Sequence, residues 1–305
     1  MLAVTGCNQV NDLQPMEPQA VPSKVIRQVK DQFPLAENLV FKSLLEKQVW
    51  EVKFDANTGK YTSLVDSTKM WETFRANPDH LPAPMTSLLA NSSFKGGTFS
   101  NNMEDVSFLT TPNQRNKVIY NMLGEDYVFD WLFVEQRTAG AILQKGLYLI
   151  SAANPKLLPA KIQTFIAADP TLSFKYAEIR VLLNYDKIYQ VQVNYDRGDR
   201  KVVVDLFFDN NGDLKWFSDG FNEPAGGYVP RNFDKVPEPI QQYLDALPEL
   251  TDFITQPIAA RQWKGEYKGI SCYTFKFKHI TKGEECEFRF DADGKLIYKM
   301  YYFYV

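Results

Sequence analysis

The residue types that do most protein chemistry are scarce in this chain, which has two histidines and three cysteines in 305 residues. His80 sits in Asn77-Pro78-Asp79-His80, a loop ahead of a helix, and His279 falls near the end of a predicted hairpin strand. Neither has a second ligand or base at a metal- or nucleophile-type spacing, so both read as surface or edge histidines. Cys272 and Cys286 invite a disulfide in an oxidising compartment. A two-residue turn at Lys282-Gly283 would set Phe275 against Phe290, Phe277 against Phe288 and His279 against Cys286, apolar against apolar. Cys272 would then face Asp293 on the opposite side of the sheet, well beyond the Cα separation of about 6 Å that a disulfide needs. Asp209-Asn210-Asn211-Gly212-Asp213 and Asp291-Ala292-Asp293-Gly294 have the oxygen-rich spacing of calcium loops. Strands rather than helices flank both, so they read as hairpin turns with Gly in the left-handed region. Glu284-Glu285 falls in a predicted turn, as solvated charge. No phosphate-binding glycine loop, Gly-x-Ser-x-Gly elbow or dinucleotide fingerprint occurs. No catalytic residue, metal or cofactor is expected.

The third cysteine suggests an address. Leu2-Ala3-Val4-Thr5-Gly6-Cys7 resembles the lipobox of bacterial lipoproteins, and a polar, Pro-bearing stretch follows it. Lipidation at Cys7 would tie a soluble body to a membrane face through a flexible tether. The expected location is therefore the periplasm, outer membrane or cell surface, with membrane contact only through that anchor. The net charge of −3 offers no basic footprint for nucleic acid. Asp66-Ser67-Thr68 also fits a short O-glycosylation acceptor pattern.

Elements that could position a site are legible as internal repeats. Pro22, Pro82, Pro159 and Pro237 each follow an aliphatic residue. Apolar residues come three, six and seven positions later, one face of a helix: Met85, Leu88 and Leu89; Ile162, Phe165 and Ile166; Ile240, Tyr243 and Leu244. After Pro22 the face is Val25, Ile26 and Val29. A second Pro at 34, 170 and 248 ends the segment, and Phe94 stands there in the second copy. The period then switches to two. Strands are predicted over 39–45, 49–55, 61–65 and 70–74; 117–122 and 127–135; 178–183, 188–195, 201–208 and 214–217; and 272–278, 285–290 and 296–304. The 14% aromatic content, with 22 Phe and 16 Tyr, suits such sheet faces. The expected fold class is α+β: tandem repeats of a short helical segment packed on a three- to four-stranded antiparallel meander. The expected domains are a lipobox-like start and tether at 1–20, a repeat pair at 21–150 (21–78 and 79–150), and a second pair at 151–305 (151–222 and 223–305). Gln144–Pro155 reads as the boundary between pairs and Ser218–Lys235 as a long loop.

The repeated pattern resembles the PepSY-like, β-lactamase-inhibitor-protein-like family of bacterial envelope lipoproteins. The matching pieces are Pro22, Phe33-Pro34 and Trp50-Glu51-Val52-Lys53-Phe54-Asp55, then Phe208-Asp209-Asn210-Asn211-Gly212-Asp213-Leu214-Lys215-Trp216. Tyr273-Thr274-Phe275-Lys276-Phe277 and Phe290-Asp291-Ala292-Asp293-Gly294-Lys295-Leu296 complete them. The resemblance covers the first, third and fourth repeats and hardly touches the second. It implies helix-on-sheet units used in pairs, and protein binding or inhibition rather than catalysis. Its shared positions are turn and core residues, so no functional residue carries over.

The best functional lead is the last strand. Tyr298, Met300, Tyr302 and Tyr304 point one way and Tyr301 and Phe303 the other, so whichever face is not under the helix is still aromatic. An open Tyr/Met face would be a protein-binding surface; a covered one would pack against a neighbouring repeat. The expected protein is a non-enzymatic envelope binder of a protein or peptide ligand. The alternatives are an enzyme or small-ligand carrier with a pocket between the repeat pairs, and a self-assembling surface-layer component.

Overall fold

A computed structural model describes residues 21–57, 59–107, 113–196, 198, 200–218, 236–254, 261–267, 270–279 and 281–304. Cys7 with its expected tether, and all but Ser218 of the expected loop Ser218–Lys235, lie outside the described residues. The chain divides into two compact units, Met1–Ala76 and Asn77–Val305. That division falls close to the expected junction of the first two repeats, not at residue 150.

The first unit places α1 (Ser23–Gln32) on an antiparallel sheet of β1 (Glu37–Leu45), β2 (Val49–Ala56), β3 (Gly59–Val65) and β4 (Met70–Ala76), in chain order. Val25 and Val29, one turn apart on the helix, pack with Phe41, Trp50, Val52, Phe54 and Val65. Phe33, at the helix end, closes the core edge-on against Phe54.

The second unit is where the expected architecture fails. Its helices are α2 (Ala83–Ala90), α3 (Ala160–Ala167), α4 (Glu238–Asp245) and α5 (Thr251–Ile254). Its strands are β5 (Thr98–Asp105), β6 (Gln114–Met122), β7 (Glu125–Val134), β8 (Arg137–Gln144), β9 (Gly146–Ala152), β10 (Leu172–Leu182), β11 (Lys187–Asp196), β12 (Lys201–Phe208), β13 (Leu214–Phe217), β14 (Arg261–Tyr267), β15 (Ile270–His279), β16 (Glu284–Phe290) and β17 (Leu296–Phe303). They do not form separate three- to four-stranded meanders. β8 pairs antiparallel with β17, setting Tyr301 against Leu143 and Met300 against Gln144. That joint fuses the second and fourth repeats into one sheet of order β5-β6-β7-β8-β17-β16-β15-β14. The third repeat forms a second sheet, β13-β12-β11-β10-β9. The chain is thus mostly β, and the second repeat shares a sheet with the fourth.

The reason lies in two segments without strand signals. β8 follows a turn at Glu135-Gln136, where two residues with side chains adopt positive φ (49° and 65°) without a Gly or Asn to announce it. β9 occupies the expected boundary Gln144–Pro155, with Tyr148, Ile150 and Ala152 buried, and carries the chain directly from one sheet to the other.

α2 and α4 cover one face of the larger sheet and share one core. Met85, Leu89, Ile240 and Leu244 meet Tyr120, Tyr127, Phe129, Phe288, Tyr301 and Phe303 there. Each helix buries the residues three and seven positions after its Pro, as the repeat spacing requires. The second sheet lies on the opposite face. Trp216 Nε1 donates to Thr274 Oγ1 at 2.8 Å, and the Cys272 thiol reaches the Phe217 carbonyl. α3 packs on the outer side of the second sheet through Phe165 on Phe208.

The two Asp-rich turns have a structural task. Asp209 Oδ1 accepts from the backbone N–H of Asn211 and Asp213, and Asp291 Oδ1 from those of Asp293 and Lys295. Gly212 (φ 74°) and Gly294 (φ 77°) then lie on the first turn of the preceding helix; an added Cβ would come within 3.3 Å of Ile162 and 3.2 Å of Ile240. Only Gly combines that φ with that approach. No helix among the described residues is long and apolar enough to cross a membrane.

Candidate functional site

β17 runs through the middle of the larger sheet, so its alternation presents two different faces. Tyr298, Met300, Tyr302 and Tyr304 do share one side, as expected. That side is not an open surface: the second sheet covers it. Tyr298 and Met300 are buried, Tyr302 is half-buried, and Tyr304 is 55% exposed. Tyr302 and Tyr304 stack at an interplanar angle of 17°, which carries the aromatic row from the interior out to the surface.

Between the sheets these tyrosines meet charged residues from three other strands. In register with the β17 row, β16 contributes Glu285, Glu287 and Arg289. Arg289 donates from Nε to Glu287 Oε1 at 2.5 Å, and Lys276 on β15 holds the other Glu287 oxygen at 2.9 Å. The Arg289 guanidinium lies over the rings of Trp216 (4.2 Å), Phe207 (4.3 Å) and Tyr298 (5.7 Å). From the second sheet, Arg180 on β10 lies over the same Tyr298 ring at 5.4 Å. Arg180 donates to Gln144 Oε1, Glu178 Oε2 and Gln190 Oε1 at 3.2–3.4 Å, and the Tyr298 hydroxyl donates to Gln144 Oε1 at 3.1 Å.

These bonds leave donors over. Arg180 Nε and Arg289 Nη1 are buried and have no hydrogen-bond partner. A buried N–H without an acceptor costs about 1–3 kcal/mol, so such atoms call for an explanation. The layer is open at its margin: Lys276 is 42% exposed and Glu178 30%, against 16% for Arg180 and 4% for Glu287. Burial pushes the Tyr298 hydroxyl up. It pushes Glu287 up as well, but Arg289 and Lys276 outweigh it and hold that carboxyl below its ordinary range.

The Lys299 cluster on the helix-facing side of β17 is saturated by comparison, although Glu249 Oε2 on the same side is buried without a partner. Lys299, 4% exposed, pairs with Glu125 Oε2 at 2.5 Å, and Tyr127 donates to the same oxygen at 2.7 Å. Lys145 approaches it at 3.3 Å and also donates to the Asp126 carbonyl. Burial alone would raise the Glu125 carboxyl, yet Lys299, Tyr127 and Lys145 pull it down to about 2. Burial works against the Lys299 ammonium, but Tyr127 and Glu125 outweigh it and raise its pKa. Both groups stay charged across the physiological range, which locks structure rather than moving protons. Nearby, Tyr301 donates to Glu249 Oε1 at 2.9 Å.

The remaining candidates fall into place individually. Cys272 and Cys286 are buried thiols on opposite faces of the sheet and form no disulfide with each other. The register differs from the expected one by two residues: Phe275 faces Phe288, Phe277 faces Cys286 and His279 faces Glu284. A two-residue slip keeps every side chain on its face, so the cysteines stay apart either way. Burial raises the Cys286 thiol well above its ordinary value, the opposite of an activated nucleophile. His80 is exposed; His279 is buried against the Phe253 ring and not at an edge. Glu284 is likewise buried, its two oxygens accepting from the backbone N–H of Ser93. Thr68 is exposed, with its hydroxyl donating to Asp66. Among the described residues no group of His, Cys, Asp and Glu could hold a metal ion.

Arg180, Gln144, Glu287 and Arg289 were not legible as site residues, because they come from strands far apart in sequence. One signal was present. The expected register sets Lys276 opposite Arg289, like charges, whereas the observed one sets it opposite Glu287. Compared with known proteins, the chain matches no family model, no curated protein and no solved structure.

Proposed function

We propose that this protein is a non-enzymatic binding protein of the bacterial cell envelope, anchored through Cys7, that takes a protein or peptide ligand at the end of β17. The observation that carries this reading is the stacked Tyr302–Tyr304 pair, which continues the interior aromatic row to an exposed lip beside Lys278, 5.9 Å from the Tyr304 ring. A tyrosine held by a stacked neighbour presents apolar area and a hydroxyl at low entropic cost, the chemistry of a binding hot spot. The Lys299 cluster supports the reading in one respect: Lys299, Tyr127 and Lys145 hold the Glu125 carboxyl low, which suits a structural ion pair rather than a proton-transfer group. The resemblance to envelope lipoproteins points the same way.

The test is capture from an envelope extract on immobilised wild-type and Tyr304→Ala protein. A partner retained at micromolar affinity by wild type and lost with Tyr304→Ala supports the reading. No partner, or one retained equally by both, argues against it.

A further inference from the structure

The proposed binding function leaves the chemistry of the ligand open, and the layer between the sheets narrows it. Arg180 and Arg289 approach one tyrosine ring from different sheets. Each is held by its own protein partners. Arg289 grips Glu287 and is stacked on Trp216 and Phe207; Arg180 bonds Gln144, Glu178 and Gln190. Each nevertheless keeps one buried N–H without an acceptor, Nε on Arg180 and Nη1 on Arg289. Guanidinium groups only donate, so what completes them is an acceptor oxygen.

The local charge selects the kind of oxygen. Glu178 balances Arg180. Glu287 faces two cations, Arg289 and Lys276. Glu285 on β16 and Asp205 on β12, which accepts from Gln190, also face the layer, so its charges lie close to balance and a phosphate dianion would over-compensate them far more than a single carboxylate. A carboxylate carries two acceptor oxygens, one for each of the two unpartnered N–H groups. The apolar groups next to these donors are the buried ring of Tyr298 and side chain of Met300.

We propose that the layer between the two sheets, around Tyr298, is a carboxylate-binding site in which Arg180 and Arg289 receive a carboxylate of the peptide ligand. The inference rests on the binding function proposed above and assigns that ligand an anionic anchor next to an apolar group. Tyr302 and Tyr304 then form the lip over which the rest of the ligand leaves.

The test titrates the full chain with N-acetyl-L-phenylalanine and with N-acetyl-L-phenylalaninamide, by calorimetry and by amide chemical shifts. The acid is expected to bind at least about ten-fold more tightly than the amide, with shifts centred on β10, β16 and β17. Arg180→Lys keeps the charge but removes the Nε–H donor, and is expected to weaken the acid by about ten-fold while leaving the amide unchanged. A melting curve confirms that the variant is folded. If it is not, Arg180→Gln serves the same comparison. Equal affinity for acid and amide, no binding of either, or an acid affinity untouched in a folded Arg180 variant would each overturn the proposal. The envelope capture separates the two readings. A partner lost with Tyr304→Ala but indifferent to Arg180→Lys and to competing N-acetyl-L-phenylalanine keeps the binding function and overturns the carboxylate site. A tight, Arg180-dependent acid with no captured partner keeps the site and overturns the protein ligand.

Discussion

The two faces of β17 are built from the same strand and end in opposite electrostatic states. On the helix side, one buried ammonium meets one carboxylate, and Tyr127 and Lys145 complete the same oxygen. On the sheet side, two guanidiniums are held by separate partners and still retain two unmatched N–H groups. The first arrangement is finished within the chain. The second is finished only by something added to it. A saturated buried cluster fixes the fold, while an incomplete one is a place to look for a ligand.

Substitutions on either face test this contrast. The largest effect is expected in the shared helix-side core: Phe288→Ala should cost about 3–5 kcal/mol, and Met300→Ala on the looser sheet side only about 2 kcal/mol, by chemical denaturation. Comparable losses would remove the distinction in packing. Next comes the ion pair. Glu125→Ala strands the buried Lys299 and should cost about 2 kcal/mol, below the roughly 3–5 kcal/mol of a fully buried pair because Glu125 is half-exposed. Lys299→Met leaves only a carboxylate that water and Lys145 can serve, and should cost under about 1 kcal/mol.

The same pair predicts a pH window. The folded-state pKa of Glu125 is depressed to about 2 from an ordinary 4.5. Its contribution is therefore complete above about pH 4.5 and is lost as the pH falls toward 2. Acid titration of Glu125→Gln should give a flatter stability profile across that window than wild type, with the two profiles parallel above it. Smaller still, Arg180→Met should shift stability by less than about 1 kcal/mol, since it removes an unsatisfied donor together with weak bonds to a half-exposed Glu178. Tyr304→Ala should stay within about 0.5 kcal/mol of wild type, being exposed, so any loss of binding it causes reports on contact and not on folding.

How much of this was written in the sequence follows from what marks an element locally. The helices were legible because each Pro fixes a start and the residues three and seven positions later must be apolar. Most strands were legible from their alternation, and the Asp-Gly turns from their residue types. β5, β8, β9 and β14 were not, and two of these matter most: β8 follows a turn built from Glu135 and Gln136, and β9 occupies what reads as a boundary. Those two strands decide which repeats share a sheet, so the local elements were readable while the architecture was not. The site suffered the same fate. The tyrosines of β17 stand together in the sequence, but Arg180 and Arg289 meet only once β8 has joined β17 and β9 has carried the chain across to the second sheet.

The incompleteness of the sheet-side layer can be observed directly in the arginine Nε–H signals of the folded protein. In the free protein the Arg180 Nε–H should exchange with solvent faster than that of Arg289, which Glu287 accepts at 2.5 Å. Saturation with N-acetyl-L-phenylalanine should shift the Arg180 signal and slow its exchange, while the amide leaves it in place. An Arg180 Nε–H already protected to the level of Arg289 in the free protein, or one unmoved by the saturating acid, would contradict the account.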